Sequence, residues 1–303
     1  MTRALAGLWP PVATPFREDG AVDTARIVRH SKAMIADGCE GLAILGTTSD
    51  ANSLSLDERR RIIDAHVEGG IEADRLLPGV GACAVDDVVT LARHAHDVGA
   101  SGVLMLPPFY YKKVPDDGVF AFFARVIDKL GAKAPRIMLY HIPPMAAVGF
   151  SLDLIGRLIA AYPGIVVGIK DSSGDAENTL AVIKAFPDFA VFPGAELYLV
   201  RAMKAGARGC ISATANVNAA GIATLLKKWQ SPEADRLQEE VSAIRKAIEA
   251  RGNIPGCKAI LADRYRDPAW AKVRPPLVAL SDKAMAELLA EPAIAKLREK
   301  VAA

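Results

Sequence analysis

The chain has 303 residues, 51% hydrophobic and 24% charged, the balance of a globular protein with a large core. Its formal net charge is +2 with no basic block, so nothing in it calls for nucleic acid or an anionic membrane as a partner. The cysteines Cys39, Cys83, Cys210 and Cys257 never form a C-x-x-C pair, and they are expected to be small buried apolar residues of a reducing compartment, not disulfides or a zinc site. The opening segment lacks the apolar core of a signal peptide and no stretch approaches a membrane span, so a cytoplasmic protein is expected.

From residue 8 to about residue 216 one pattern repeats: a short apolar run, a turn, then a helix with a polar face. The runs are Leu8 to Ala13, Gly41 to Leu45, Leu76 to Val80, Gly102 to Leu106, Arg136 to Tyr140, Ile165 to Ile169, Phe189 to Phe192 and Arg208 to Ile211. Helices are predicted at Asp23 to Asp37 with Gly38 as the stop, at Leu56 to Glu68 behind a Ser55/Glu58 capping box, and at Val85 to Val98 before Gly99. Eight strands, each followed by a helix, predict an α/β fold, a closed (β/α)8 TIM barrel over residues 1–225. Residues 226–303 read as helices packed on it; Ser231-Pro232 should open a long charged one running to about Arg251.

Functional groups of such a barrel gather where its strands end. The sixth run closes as Gly168-Ile169-Lys170-Asp171. A lysine held dry there is a candidate amine nucleophile, because burial disfavours its ammonium; the alternative is a stem lying on the strand with its head in water. The second run ends in Gly46-Thr47-Thr48-Ser49-Asp50, whose N–H groups and hydroxyls suit a carboxylate but also suit an ordinary turn. The fifth ends in Tyr140-His141-Ile142-Pro143, where a phenol can pass a proton or be buried against backbone. Pro108-Phe109-Tyr110 ends the fourth, in a setting equally suited to packing or an oligomer contact. The eighth, through Ser212 and Thr214 to Asn216, is small and polar and is read as leaving room for a ligand.

Taken in chain order, Gly46-Thr47-Thr48, Pro108-Phe109-Tyr110, Tyr140-His141-Ile142-Pro143 and Gly168-Ile169-Lys170-Asp171, each at a strand end, resemble the dihydrodipicolinate synthase and N-acetylneuraminate lyase family of Schiff-base enzymes. The likeness runs from Leu8 to beyond Asn216, about two thirds of the chain, and the C-terminal helices fit the family's plan. It implies that Lys170 forms an imine with pyruvate or a related 2-oxo acid. It also implies that Tyr140 shuttles protons, Thr47 and Thr48 bind the carboxylate, Thr47 relays the proton, and Ile211 offers a backbone contact. Tyr110 matches a tyrosine inserted into a neighbouring subunit's site, which implies a homodimer or homotetramer. No metal or organic cofactor is implied, the protonated imine being its own electron sink.

Departures bear on the substrate. Family members that make dihydrodipicolinate carry an arginine shortly after the Tyr-x-x-Pro motif, whereas Pro144 to Phe150 has none, which disfavours that reaction. After the seventh strand, Gly194-Ala195-Glu196 keeps one of the acidic groups of the sialic-acid lyases; Glu196 is a candidate hydroxyl partner or an exposed helix-start residue. His141, at a position often occupied by Asn, is a packing or specificity group. The expected reaction is reversible aldol cleavage of a sugar-derived 2-oxo acid releasing pyruvate, with dehydration or deamination as the alternative. Rival readings are weaker: a non-catalytic 2-oxo acid sensor would not need Lys170, Tyr140 and Thr47 together. The dinucleotide-like run Gly79-Val80-Gly81-Ala82-Cys83-Ala84 follows the third strand, not the first. His94 and His96, two apart on a helix, cannot share a metal.

Overall fold

The computed structural model describes residues 3–302. Six of the apolar runs form regular strands: β1 (Gly7–Leu8), β2 (Val103–Met105), β3 (Ile137–His141), β4 (Val166–Asp171), β5 (Ala190–Pro193) and β6 (Gly209–Cys210). β2 to β5 pair in parallel in chain order, and β1 pairs in parallel with β6. Residues 40–44 and 76–80 close the remaining gap. Glu40 and Ala43 donate to the carbonyls of Leu8 and Pro10, Leu77 and Gly79 to Leu42 and Ile44, and Val80 to Leu104. Arg208 and Ile211 donate to Val191 and Pro193, which joins β6 to β5. All eight seams are thereby bonded, and the fold is a closed (β/α)8 barrel with additional C-terminal helices.

The ladders of the first three segments are shorter than their apolar runs. Pro10, Pro11 and Pro78 have no N–H to give, so pairing survives there only as single bonds and bridges. Closure also demands backbone contact: a Cβ on Gly209, whose φ is +156°, would fall 1.9 Å from the Gly7 carbonyl oxygen. The Gly79–Gly81 stretch that resembled a nucleotide loop is a barrel seam, its carbonyls accepting from the buried Arg59 guanidinium at 2.7 and 3.2 Å.

The helices are α1 (Thr24–Ala36), α2 (Leu56–Glu68), α3 (Val85–Asp97), α4 (Asp116–Leu130), α5 (Pro143–Ala146), α6 (Leu152–Ala161), α7 (Ala176–Ala185), α8 (Leu199–Ala205), α9 (Ala215–Lys228), α10 (Ala234–Glu249), α11 (Asn253–Tyr265), α12 (Asp282–Ala290) and α13 (Pro292–Ala302). Asp23 caps α1, the Ser55/Glu58 box caps α2, and Asp175 caps α7. α10 begins at Ala234, later than the Ser231-Pro232 signal suggests, because the Ser231 hydroxyl accepts from the Glu233 N–H in the turn before the helix. Among the cysteines Cys83 departs from expectation and is exposed. No helix among the described residues is long and apolar enough to cross a membrane.

Inward-facing Trp9, Ala43, Leu77, Leu104, Met138, Phe192 and Ile211 fill the barrel, leaving its carboxyl end for polar groups. α11 buries Cys257, Ile260 and Leu261 against Ala13, Val217, Ile248 and Trp270, which seats the C-terminal helices on the barrel.

Candidate active site

Strand register assembles the centre. Tyr140 on β3, Lys170 on β4 and Phe192 on β5 are directly paired, so their side chains share the inner face. Asp171, one residue on, turns outward and is satisfied by the Ser173 N–H, Asn178 and Thr179. Lys170 is 3% exposed, and its Nζ lies 4.2 Å from the centroid of the Tyr140 ring. The Tyr140 hydroxyl is 3.0 Å from Thr47 Oγ1. Amine, phenol and threonine hydroxyl thus form one contiguous set at the barrel mouth.

Thr47 and Thr48 begin a short 3-10 turn, Thr47–Ser49, whose first N–H groups have no acceptor within the turn. The turn ends at Asp50 in the left-handed region (φ 56°). The turn and the segment after it are clamped by C-terminal residues that the sequence motifs did not single out. Lys258 of α11, fully buried, donates to Asp50 Oδ2 at 2.6 Å, and Arg274 forks onto both Glu58 oxygens while also donating to Ser53 O. The fork holds the Glu58 carboxyl down at about 2. A lone lysine in the apolar stretch Cys257 to Ala262 was the available signal.

A cavity of about 580 Å³ opens over Lys170, large enough for a small-molecule substrate. Thr47, Thr48, Tyr140, Lys170 and Gly194 line it. Gly194 must lack a side chain, since a Cβ there would meet Ser172 Oγ at 2.0 Å. Tyr198 is a second phenol in the wall, bonded to Thr179 at 3.1 Å; burial pushes its pKa up to about 12, so it stays protonated.

Four of the residues singled out in the sequence lie outside the cavity lining. Ile211 is buried inside the barrel, its N–H donated to the Pro193 carbonyl. Glu196 is not an exposed helix-start residue: it is fully buried and accepts from the hydroxyls of Ser212 and Thr214. Those bonds close the end of the eighth segment, which the small polar sequence had suggested was open; Asn216 closes it further by bonding Ala13 N and Pro11 O. His141 faces away from Lys170, and its Nδ1 accepts from the Phe150 N–H at 3.0 Å; burial lowers its pKa, which Asp171 only partly offsets. Tyr110 stands 74% exposed on the loop after β2, edge-on to Tyr111.

The Pro144–Phe150 stretch has no cation to offer. Val148 and Phe150 turn into the core between strands and helices, Gly149 abuts the His141 ring, and Pro144 and Met145 reach the cavity. The C-terminal helices supply what was missed: Arg245, Glu249 and Asn253 all line the cavity. Their distance along the chain from any barrel strand hid them.

Residues 4–292 match the family model described as the dihydrodipicolinate synthetase family. An uncharacterized DapA-like lyase of Chloroflexus aurantiacus is 32% identical over 94% of this chain and 95% of its own. A 4-hydroxy-tetrahydrodipicolinate synthase of Agrobacterium fabrum is 30% identical over 92% and 97%. The crystal structure of dihydrodipicolinate synthase from Agrobacterium tumefaciens str. C58 superposes with a TM-score of 0.90 at 32% identity, covering 96% of this chain and 99% of that one. With its barrel, its strand-end motifs and a match over nearly its whole length, the chain belongs to the dihydrodipicolinate synthetase family and is an enzyme of that family's lyase class.

Proposed function

We propose that the protein cleaves a 2-oxo acid reversibly, by an aldol reaction that releases pyruvate through an imine on Lys170. One observation carries the reading: an amine closed off from water lies against the ring of Tyr140, whose hydroxyl meets Thr47. The Lys170 amine adds to the 2-oxo carbon, and loss of water gives the protonated imine. A base removes the proton of the C4 hydroxyl, the C3–C4 bond breaks, and its electron pair passes to the imine as an aldehyde departs. Tyr140, coupled to Thr47, takes and returns the protons. The enamine left behind is protonated at C3, and water hydrolyses the imine to free pyruvate and the amine. Thr47 and Thr48 hold the carboxylate, which keeps the carbonyl carbon over the amine.

Relatives of this chain bear the names 4-hydroxy-tetrahydrodipicolinate synthase and dihydrodipicolinate synthase. That reaction is disfavoured here, because the Pro144–Phe150 stretch offers no arginine for a second carboxylate. Dehydration through the same imine is the second reading, since Tyr140 would serve equally to protonate a leaving hydroxyl. Borohydride reduction with pyruvate tests the mechanism. The expected result is a stable mass increase mapped to Lys170 and absent in Lys170→Ala; label on another residue, or none, would sink it. Tyr110 is proposed to complete a neighbouring subunit's site in a homodimer or homotetramer, a reading supported by the exposure of Tyr110 and Tyr111. Sedimentation of the wild type as a monomer would refute that.

A further inference from the structure

Pyruvate fills only a small part of the cavity, so most of the wall is available to the rest of the substrate. Much of that wall comes from the end of α10 and the start of α11. Its charges are Arg245, which is 6% exposed, and Glu249, joined Nη2 to Oε1 at 2.5 Å. Behind them Glu196, fully buried, stands 3.8 Å from Arg245 Nη1, and Ser212 Oγ accepts from the same nitrogen at 3.2 Å. The two carboxylates outweigh the desolvation of the guanidinium and hold its pKa above the ordinary value.

Arg245 is therefore no free cation. One guanidinium faces two carboxylates, so this wall carries a surplus negative charge despite its arginine. The Asp171 carboxylate, turned outward, is spent on Ser173, Asn178 and Thr179. Arg245 Nε, a donor, and Asn253 Oδ1, an acceptor, are buried behind the wall surface with no hydrogen-bond partner among the described residues. Ser172, Ser173 and the Tyr198 hydroxyl's residue add neutral polar lining. Neutral side chains of this kind, with the Asn253 amide, match hydroxyl groups, which can both give and accept. A phosphate or second carboxylate would need an uncompensated cation here and would instead meet Glu249.

We infer that the α10–α11 wall selects a neutral, polyhydroxylated tail and rejects a phosphorylated or carboxylated one, with Arg245, Glu249 and Asn253 as the specificity-determining residues. This rests on the pyruvate-releasing reading above and names the substrate class for it. The device is partly repulsive: Glu249 discriminates by penalising the wrong tail as much as Arg245 and Asn253 favour the right one.

The test measures pyruvate release from three six-carbon compounds: a 2-oxo-3-deoxy aldonic acid, its 6-phosphate, and the corresponding compound with a terminal carboxylate. Compounds not turned over are ranked by how strongly they slow borohydride trapping with pyruvate. The neutral compound is expected to lead by roughly tenfold or more in kcat/KM, and Glu249→Gln to narrow that lead several-fold. Glu249 is partly exposed, so its variant should fold. Arg245→Lys should raise KM for the neutral compound more than it lowers kcat, since it removes the fork and keeps the charge. Equal use of all three compounds, preference for an acidic tail, or an equal loss on all three in Glu249→Gln would overturn the inference. Trapping on Lys170 in the same wild-type preparation separates the two claims. No trapping defeats the lyase reading, whereas trapping without discrimination between tails defeats only this one.

Discussion

Two lysines lie buried in this protein, and their surroundings are almost matched. Lys170 at the barrel mouth is 3% exposed with its Nζ 4.2 Å from the Tyr140 ring centroid; Lys258 on α11 is fully buried, 4.4 Å from that of Phe16. They differ in counter-charge. Lys258 has Asp50 at 2.6 Å and the Lys272 carbonyl at 3.0 Å, while Lys170 has a phenol, with the adjacent carboxylate of Asp171 turned away. Burial and an aromatic neighbour therefore do not make a nucleophile. An amine tied to a carboxylate is a structural tie, and an amine denied one is left for chemistry.

The comparison can be broken from either side. Replacing Lys170 with Met should abolish pyruvate release and trapping while leaving the thermal midpoint unchanged or higher, because no ion pair is lost; a large fall in midpoint would mean Lys170 is structural. Lys258→Met should do the reverse and cost about 3–5 kcal/mol in denaturant unfolding, since Asp50 is left charged and unpaired in the interior. Adding Asp50→Asn, which tolerates the left-handed backbone there, should recover part of that loss. No recovery would show that the lysine acts through packing rather than charge.

Acid gives a smaller effect and acts on the structural region. His30, bonded to Tyr265 and Asn216, and His66, bonded to Ser31, are buried neutral, with burial lowering each from 6.5 to about 4. Between those values the unfolded chain binds more protons than the folded one, so stability falls as pH drops through this window. The loss at pH 5 relative to pH 7 should be on the order of 2 kcal/mol per histidine, read from urea midpoints. His30→Gln and His66→Gln variants should each remove their own share of the slope; a slope unchanged in both would assign the acid sensitivity elsewhere.

Much of the barrel was legible because its signals are local. The Ser55/Glu58 box caps where each partner can reach an N–H group three residues away, and the apolar run Ile165 to Ile169 leads to Lys170 at a strand end. Ser231-Pro232 misled because serine serves a turn as readily as a helix start. Glu196 was misplaced for a different reason: a glutamate after a strand is ordinarily solvated, and its hydroxyl partners Ser212 and Thr214 belong to another strand end.

The sequence by itself determined the order of strands and helices, the Ser55/Glu58 capping box, and the placing of Lys170, Tyr140 and Thr47 at the ends of three different strands. Those are properties of periodicity and of side chains acting on their near neighbours. Only the tertiary structure decided which lysine is dry and unpaired, that Lys258 holds the end of the threonine turn and Arg274 the segment after it, and that α10 and α11 bring Arg245, Glu249 and Asn253 into the substrate cavity. Counter-charge and burial depend on residues far apart in the chain, and no spacing along it records them.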